Sequence, residues 1–291
     1  MSKIEKALEK AVEARELGPG APPQPAESRN GAGQHTFVSG PEVIDAALVD
    51  PHVVCITDPF SANAEQYKRL RARLIRDTAK DFRNIIMVAS TTGGEGKSLT
   101  AINLALALAQ EIDHTVLLVD ADLRMPSVHT YLGLNPRCGL SDYLSGKAEL
   151  QDVLVRTGIG KLVLLPAGEP PENPAELLSS GRMKELVKEM KHRYKDRYII
   201  FDTSPVLITA DALSLSRHMD GVVFVVHADR THQKDVARAL ALIRGTPVLG
   251  VVLNDIPGYL ARTADSYYRY RYGDQKRSAA VGQQPEEKQK P

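Results

Sequence analysis

No apolar run in this 291-residue chain approaches the ~18 residues that a membrane span needs, and its first residues, MSKIEKALEKA, lack the apolar core of a signal peptide. A soluble, cytoplasmic protein is expected, with membrane association only through a partner. Charge of one sign is missing too. The 37 Lys and Arg nearly cancel the 36 Asp and Glu, so no global basic field draws the chain to nucleic acid or lipid. Cysteine is scarce: Cys55 and Cys138 lie far apart and outside any C-x-x-C spacing, as unpaired thiols of a reducing compartment would. A length of 291 residues holds one large α/β domain with appendages, or two small domains.

What is present starts with Val88–Ala101, VASTTGGEGKSLTA. An apolar run, Ile85 to Val88, leads into Thr92, Gly93, Gly94, Glu95, Gly96, Lys97, Ser98 and Leu99, and a helical pattern follows at once. A phosphate cradle needs that order of strand, glycine loop and helix start. Glycines let successive backbone N–H groups turn toward an anion, and the helix N-terminus adds its positive dipole end. Lys97 supplies a mobile charge, and Ser98 offers a hydroxyl to magnesium. A strict G-x-x-x-x-G-K-[ST] pattern would have glycine where Thr91 stands. A nucleoside triphosphate with magnesium is the expected ligand pair.

Apolar strands and helical patterns then alternate. Strands are expected at Ile85–Ala89, Thr115–Asp120, Leu162–Pro166, Tyr198–Asp202, Gly221–His227 and Val248–Asn254. Helices are expected at Ala62–Lys80, Ser98–Gln110, Met183–Tyr194, Asp211–Arg217 and Gln233–Ile243. Short apolar strands separated by helices predict an α/β fold, a parallel sheet covered on both faces, with ligands at the strand C-terminal ends. This domain is assigned to residues 36–258. Before it come residues 1–16, with Ile4, Ala7, Leu8, Ala11 and Val12 at helical spacing, and a Pro- and Gly-rich linker at 17–35. The helix reads equally as a docking element or as a solvated terminus. After the domain come a tyrosine cluster at 259–272 and a polar tail at 273–291 that is expected to be disordered.

Two further strands end in acids: LLVDADLR places Asp120 and Asp122 before Arg124, and IIFDTSP places Asp202. An apolar strand that ends in Asp beside a phosphate loop is a common way to hold magnesium through its waters. TTGGEGKS, LLVDADLRMPSVH and IIFDTSP together resemble the bacterial tyrosine kinases. These are deviant-Walker P-loop ATPases related to the division-site-selection and chromosome-partition ATPases. GLSDYL, LPAGEPPENPAELL and ITADALSLSRHMDGVVFVV extend the resemblance over about residues 60–272. It is greatest to the cytoplasmic, exosortase-associated autokinases of exopolysaccharide systems. Thr92 occupies the place of the lysine that signs the positioning ATPases, which remain the alternative reading.

The resemblance implies an ATP- and Mg2+-dependent tyrosine autokinase acting in trans within a homo-oligomeric ring. The ring would meet a membrane chain-length partner at the inner face of the plasma membrane. It implies a phosphate site at Thr92–Leu99, with Lys97 neutralising charge on the β- and γ-oxygens. Ser98 would ligate magnesium directly and Asp202 through water. Asp120 would take or orient the tyrosine proton, with Asp122 supporting the metal or the same proton; the two acids are interchangeable at this stage. Asn254 would contact adenine or simply end a strand. Five of the ten tyrosines lie in the cluster, and Tyr267, Tyr268, Tyr270 and Tyr272 are the expected acceptors. Their alternation with Arg also fits an aromatic edge strand or stacking on single-stranded nucleic acid. Glu65, Lys68 and Arg71 recur every three residues on one helix face and stand where the family's ring-forming motif lies.

Overall fold

The computed structural model describes residues 44–193 and 196–257. The expected N-terminal helix (1–16), linker (17–35), tyrosine cluster (259–272) and tail (273–291) lie outside the described residues. Among the described residues seven strands are formed: β1 (Ile85–Ser90), β2 (Thr115–Asp120), β3 (Val155–Arg156), β4 (Leu162–Leu165), β5 (Arg197–Asp202), β6 (Gly221–His227) and β7 (Val248–Asn254). The longer helices are α1 (Ala62–Thr78), α2 (Lys97–Ala109), α3 (Gly181–Arg193) and α4 (Gln233–Leu242). The sheet order is β3-β4-β2-β5-β1-β6-β7. All pairings are parallel except β3 against β4. The expected all-parallel sheet therefore gains a two-residue antiparallel edge, Val155–Arg156.

Strand alternation explains why both faces are covered. Along β1, Ile85, Met87 and Ala89 enter one core, with Phe201, Leu186 and Phe224. Ile86 and Val88 enter the other, with Ile102, Leu106 and Tyr198. Because every β1 side chain is buried, the strand reads as an unbroken apolar run. α2, KSLTAINLALALA, is apolar almost all round and buried through most of its length. It lies between the sheet and α1. Helix α1 is amphipathic and starts at Ser61, whose Oγ accepts from Ala64 N at 3.1 Å.

Several short helical turns fall between the expected elements, at Val54–Thr57, Val128–Tyr131, Leu140–Leu144, Leu150–Val153 and Pro174–Ser179. The sheet order brings the C-terminal ends of β2, β5 and β1 side by side, with Asp120 opposite Asp202 in the β2–β5 register. Among the described residues no helix is long and apolar enough to cross a membrane.

Candidate active site

The loop after β1 leads directly into α2. Gly96 caps the helix at φ +87°, and Gly94 also takes a positive φ of +77°, a region that costs other residues about 1–2 kcal/mol. The first α2 hydrogen bond runs from Thr100 N to Gly96 O. The N–H groups of Lys97, Ser98 and Leu99 therefore precede the helical ladder and are left available to an anion. Gly93 and Gly94 form an exposed crest, where an added Cβ would meet nothing within 4 Å. The loop backbone is thus open to a phosphate. Leu99 packs against the core on the α2 side, and its carbonyl accepts from Asn103 Nδ2.

Lys97 and the three acids converge beneath this crest. Lys97 Nζ donates to Asp202 Oδ1 at 2.8 Å and to Ser98 Oγ at 3.2 Å, and it lies 3.7 Å from Asp122 Oδ2. Burial works against its charge, but Asp202 and Asp122 outweigh it and hold the ammonium above the ordinary lysine range. Asp120 is fully buried. Its Oδ1 accepts from Asp122 N at 3.2 Å, and its Oδ2 accepts from Ser127 N and Val128 N at 3.2 and 3.1 Å. Burial, and then the neighbouring Asp202, push Asp120 up to about 8. Burial also raises Asp122, although Lys97 opposes it.

Three carboxylates facing one ammonium leave an excess of negative charge in a dry site, and such an arrangement favours protonation or a bound cation. Asp202 Oδ2 is buried without a hydrogen-bond partner, and Ser98 stands beside Lys97 at the helix start. These residues fit magnesium: a hydroxyl for direct ligation and a spare carboxylate oxygen for a metal-bound water. Among the described residues no cluster of three His, Cys, Asp or Glu forms a dedicated metal cage.

The structure brings Thr92–Leu99, Asp120, Asp122 and Asp202 to one end of the sheet, and Asn254 joins them. Its Nδ2 donates to Glu95 O at 3.0 Å. A Cβ on Gly96 would lie 2.0 Å from that nitrogen. The expected acceptor tyrosines, Tyr267, Tyr268, Tyr270 and Tyr272, lie outside the described residues. On α1, Lys68 lies 3.4 Å from Glu65 and donates to Pro59 O, while Arg71 reaches Ala107 O and Glu111. These three residues make contacts within the chain, at a distance in sequence from the acids at the strand ends.

Sequence reasoning missed two features. Arg124 grips the buried Asp211 through two bonds of 2.7 and 3.2 Å, tying the loop after β2 to the start of the helix Asp211–Ser216 that follows β5. Thr231, after β6, donates to Glu95 at 2.5 Å. The basic residue following Asp122 was a signal for the first; nothing local marked the second.

A family profile describing NUBPL iron-transfer P-loop NTPases of the ParA type matches residues 81–281. The tyrosine-protein kinase YwqD of Bacillus subtilis is 39% identical over 206 residues, covering 70% of this chain and 85% of that protein. Among solved structures, the chimerical protein CapA2B2 is 32% identical with a TM-score of 0.66, over 72% of this chain and 92% of that one. The kinase domain of the Escherichia coli tyrosine kinase ETK is 30% identical with a TM-score of 0.66, over 70% and 80%. The chain belongs to the bacterial protein-tyrosine kinases, a branch of the ParA-type P-loop NTPases.

Proposed function

We propose that the protein is an ATP- and Mg2+-dependent tyrosine autokinase that phosphorylates Tyr267, Tyr268, Tyr270 and Tyr272 on a neighbouring copy. The observation that carries this reading is the convergence of Lys97, Asp120, Asp122 and Asp202 beneath an open, glycine-rich loop. The N–H groups of Gly93–Ser98 hold the phosphates, and Lys97 meets charge growing on the β- and γ-oxygens. When bound at Ser98 and Asp202, magnesium neutralises phosphate charge. Asp120, made a stronger base by burial, takes the tyrosine proton in its ionised form, and the less buried Asp122 supports it. The tyrosine oxygen forms a bond to the γ-phosphorus, the bond from that phosphorus to the β–γ bridging oxygen breaks, and ADP leaves. Asn254, held at the loop, is placed to meet the nucleotide base.

A tyrosine tail attached some distance from the phosphate loop is more easily offered to a neighbour than to its own site, which favours transfer within an oligomer joined through the Glu65, Lys68 and Arg71 face. Each phosphate adds ~−1.5 to −2 charges. Several on adjacent tails would loosen the assembly, giving a cycle that tunes exopolysaccharide polymerisation and export with a membrane chain-length partner.

The test is a phosphotyrosine blot with mass spectrometry after incubation with Mg-ATP, comparing wild type, Lys97→Met and the four-tyrosine Phe variant. It is run with and without the cytoplasmic segment of a candidate membrane partner. Phosphate on residues 267–272 that needs Lys97, and its loss in the Phe variant with ATP binding retained, supports the reading. ATP hydrolysis with no phosphotyrosine, even with the partner, points instead to a positioning ATPase.

A further inference from the structure

We infer that Thr231, in the turn after β6, is a positioning residue for phosphate binding that acts through the side chain of Glu95. Glu95 belongs to the phosphate loop, yet its carboxylate turns away from the open crest and is buried. Its Oε2 accepts from Thr91 N at 2.6 Å and Thr92 N at 3.2 Å, and its Oε1 accepts from the Thr91 hydroxyl. Thr231, 136 residues further along the chain, supplies another donor, its Oγ1 lying 2.5 Å from Glu95 Oε1.

The direction of that bond is fixed by a second one. Thr231 Oγ1 accepts from His227 N at 3.1 Å, and its single proton is left for the carboxylate. A buried carboxylate is tolerated only where donors fill its lone pairs. Without Thr231, Glu95 Oε1 loses the donor that comes from outside the loop. The Thr91 and Thr92 N–H groups are drawn inward by Glu95, which leaves those of Gly93–Ser98 for the phosphates.

A parallel tether acts on the loop backbone, where Asn254 Nδ2 donates to Glu95 O at 3.0 Å. The two tethers come from the C-terminal ends of β6 and β7, which are joined by Ala228 N to Asn254 O at 2.8 Å. The loop, with positive φ at Gly94 and Gly96, is thereby clamped from the β6–β7 side as well as by its own strand. The clamp holds beforehand a shape that a free loop would have to adopt on binding.

This rests on the loop as the phosphate site and not on tyrosine as the acceptor, so the test measures nucleotide binding with no acceptor present. Titration calorimetry with Mg-ADP, and separately with AMP, is run on wild type, Thr231→Val and Thr231→Ser of the full chain. Val keeps the branched shape and removes the hydroxyl; Ser restores it. Thr231→Val is expected to weaken Mg-ADP roughly tenfold or more, the loss of one charge-assisted bond. AMP, which lacks the β-phosphate, should bind within twofold of wild type, and Ser should recover Mg-ADP affinity to within about threefold. Glu95→Gln is a second route to the same loss if the Val variant does not fold. Mg-ADP affinity within twofold of wild type in folded Thr231→Val would overturn the inference. Equal weakening of AMP and Mg-ADP, the signature of general destabilisation, would overturn it too.

Discussion

Gly96→Ala tests the geometry of the phosphate loop at its tightest point. Two costs are separable there. Gly96 sits at φ +87°, and an alanine in that region costs about 1–2 kcal/mol. Its new Cβ would lie 2.0 Å from Asn254 Nδ2 and 2.9 Å from Asn254 Cγ, so the amide must swing away and release its 3.0 Å bond to Glu95 O. That bond is worth about 0.5–1.5 kcal/mol. The sum, about 1.5–3.5 kcal/mol, corresponds to Mg-ADP affinity weaker by roughly ten- to several-hundredfold. Asn254→Ala alone removes the bond and costs up to about tenfold. The double variant distinguishes the account from a generic loop defect. Gly96→Ala already breaks the Asn254 bond, so adding Asn254→Ala should weaken binding no further. Calorimetry on the four proteins closes the cycle. Additive losses would refute the shared contact and with it the claim that β7 braces the loop.

Asp202→Asn removes the partner of Lys97 Nζ and the carboxylate whose Oδ2 is spare; phosphoryl transfer should fall by about 10²–10³, and the magnesium concentration for half-maximal rate should rise. Unchanged magnesium dependence would remove Asp202 from the metal site. Cys55 is pushed from 9.0 up to about 11 by burial, so its thiolate is scarcer at pH 8. Alkylation of the folded protein by iodoacetamide should run about a hundredfold slower than for a free cysteine and accelerate as pH approaches 11. Alkylation of Cys55 as fast as in the urea-unfolded chain would show the thiol is not enclosed. Arg124→Ala strips the buried Asp211 of two hydrogen bonds. With Arg124 partly exposed, about 1.5 kcal/mol and a melting point lower by roughly 3–6 °C are expected, with Arg124→Lys in between.

The site's main parts were legible because each is written in a continuous stretch. A strand buried on both faces needs an unbroken apolar run, and so Ile85–Ser90, Thr115–Asp120 and Gly221–His227 stood out with their ends nearly correct. The acids stood out because they end such runs. Val155–Arg156 did not, since a two-residue edge has no period to read. Nor did turns such as Leu150–Val153, which tertiary packing rather than helix propensity holds. Glu95 and Arg71 show the deeper limit. In sequence both are charges on loop or helix. Only the folded chain shows Glu95 turned inward onto Thr231, and Arg71 reaching Ala107 and Glu111. Partners 136 and 36 residues away leave no local trace.

The sheet order has a consequence for how the protein is made. β1 pairs with β5 and β6, and β2 pairs with β4 and β5. The two strands that carry the phosphate loop and the first acids are therefore not joined until β5 is placed between them. A nascent chain that has left the ribosome as far as residue 196 already contains Lys97, Asp120 and Asp122, yet β1 still lacks both of its sheet partners, β5 and β6. Nucleotide can stabilise only the completed arrangement. On the proposed reading, nucleotide capture is consequently a late step in biosynthesis, and a chain stalled before Asp202 emerges lacks the assembled site.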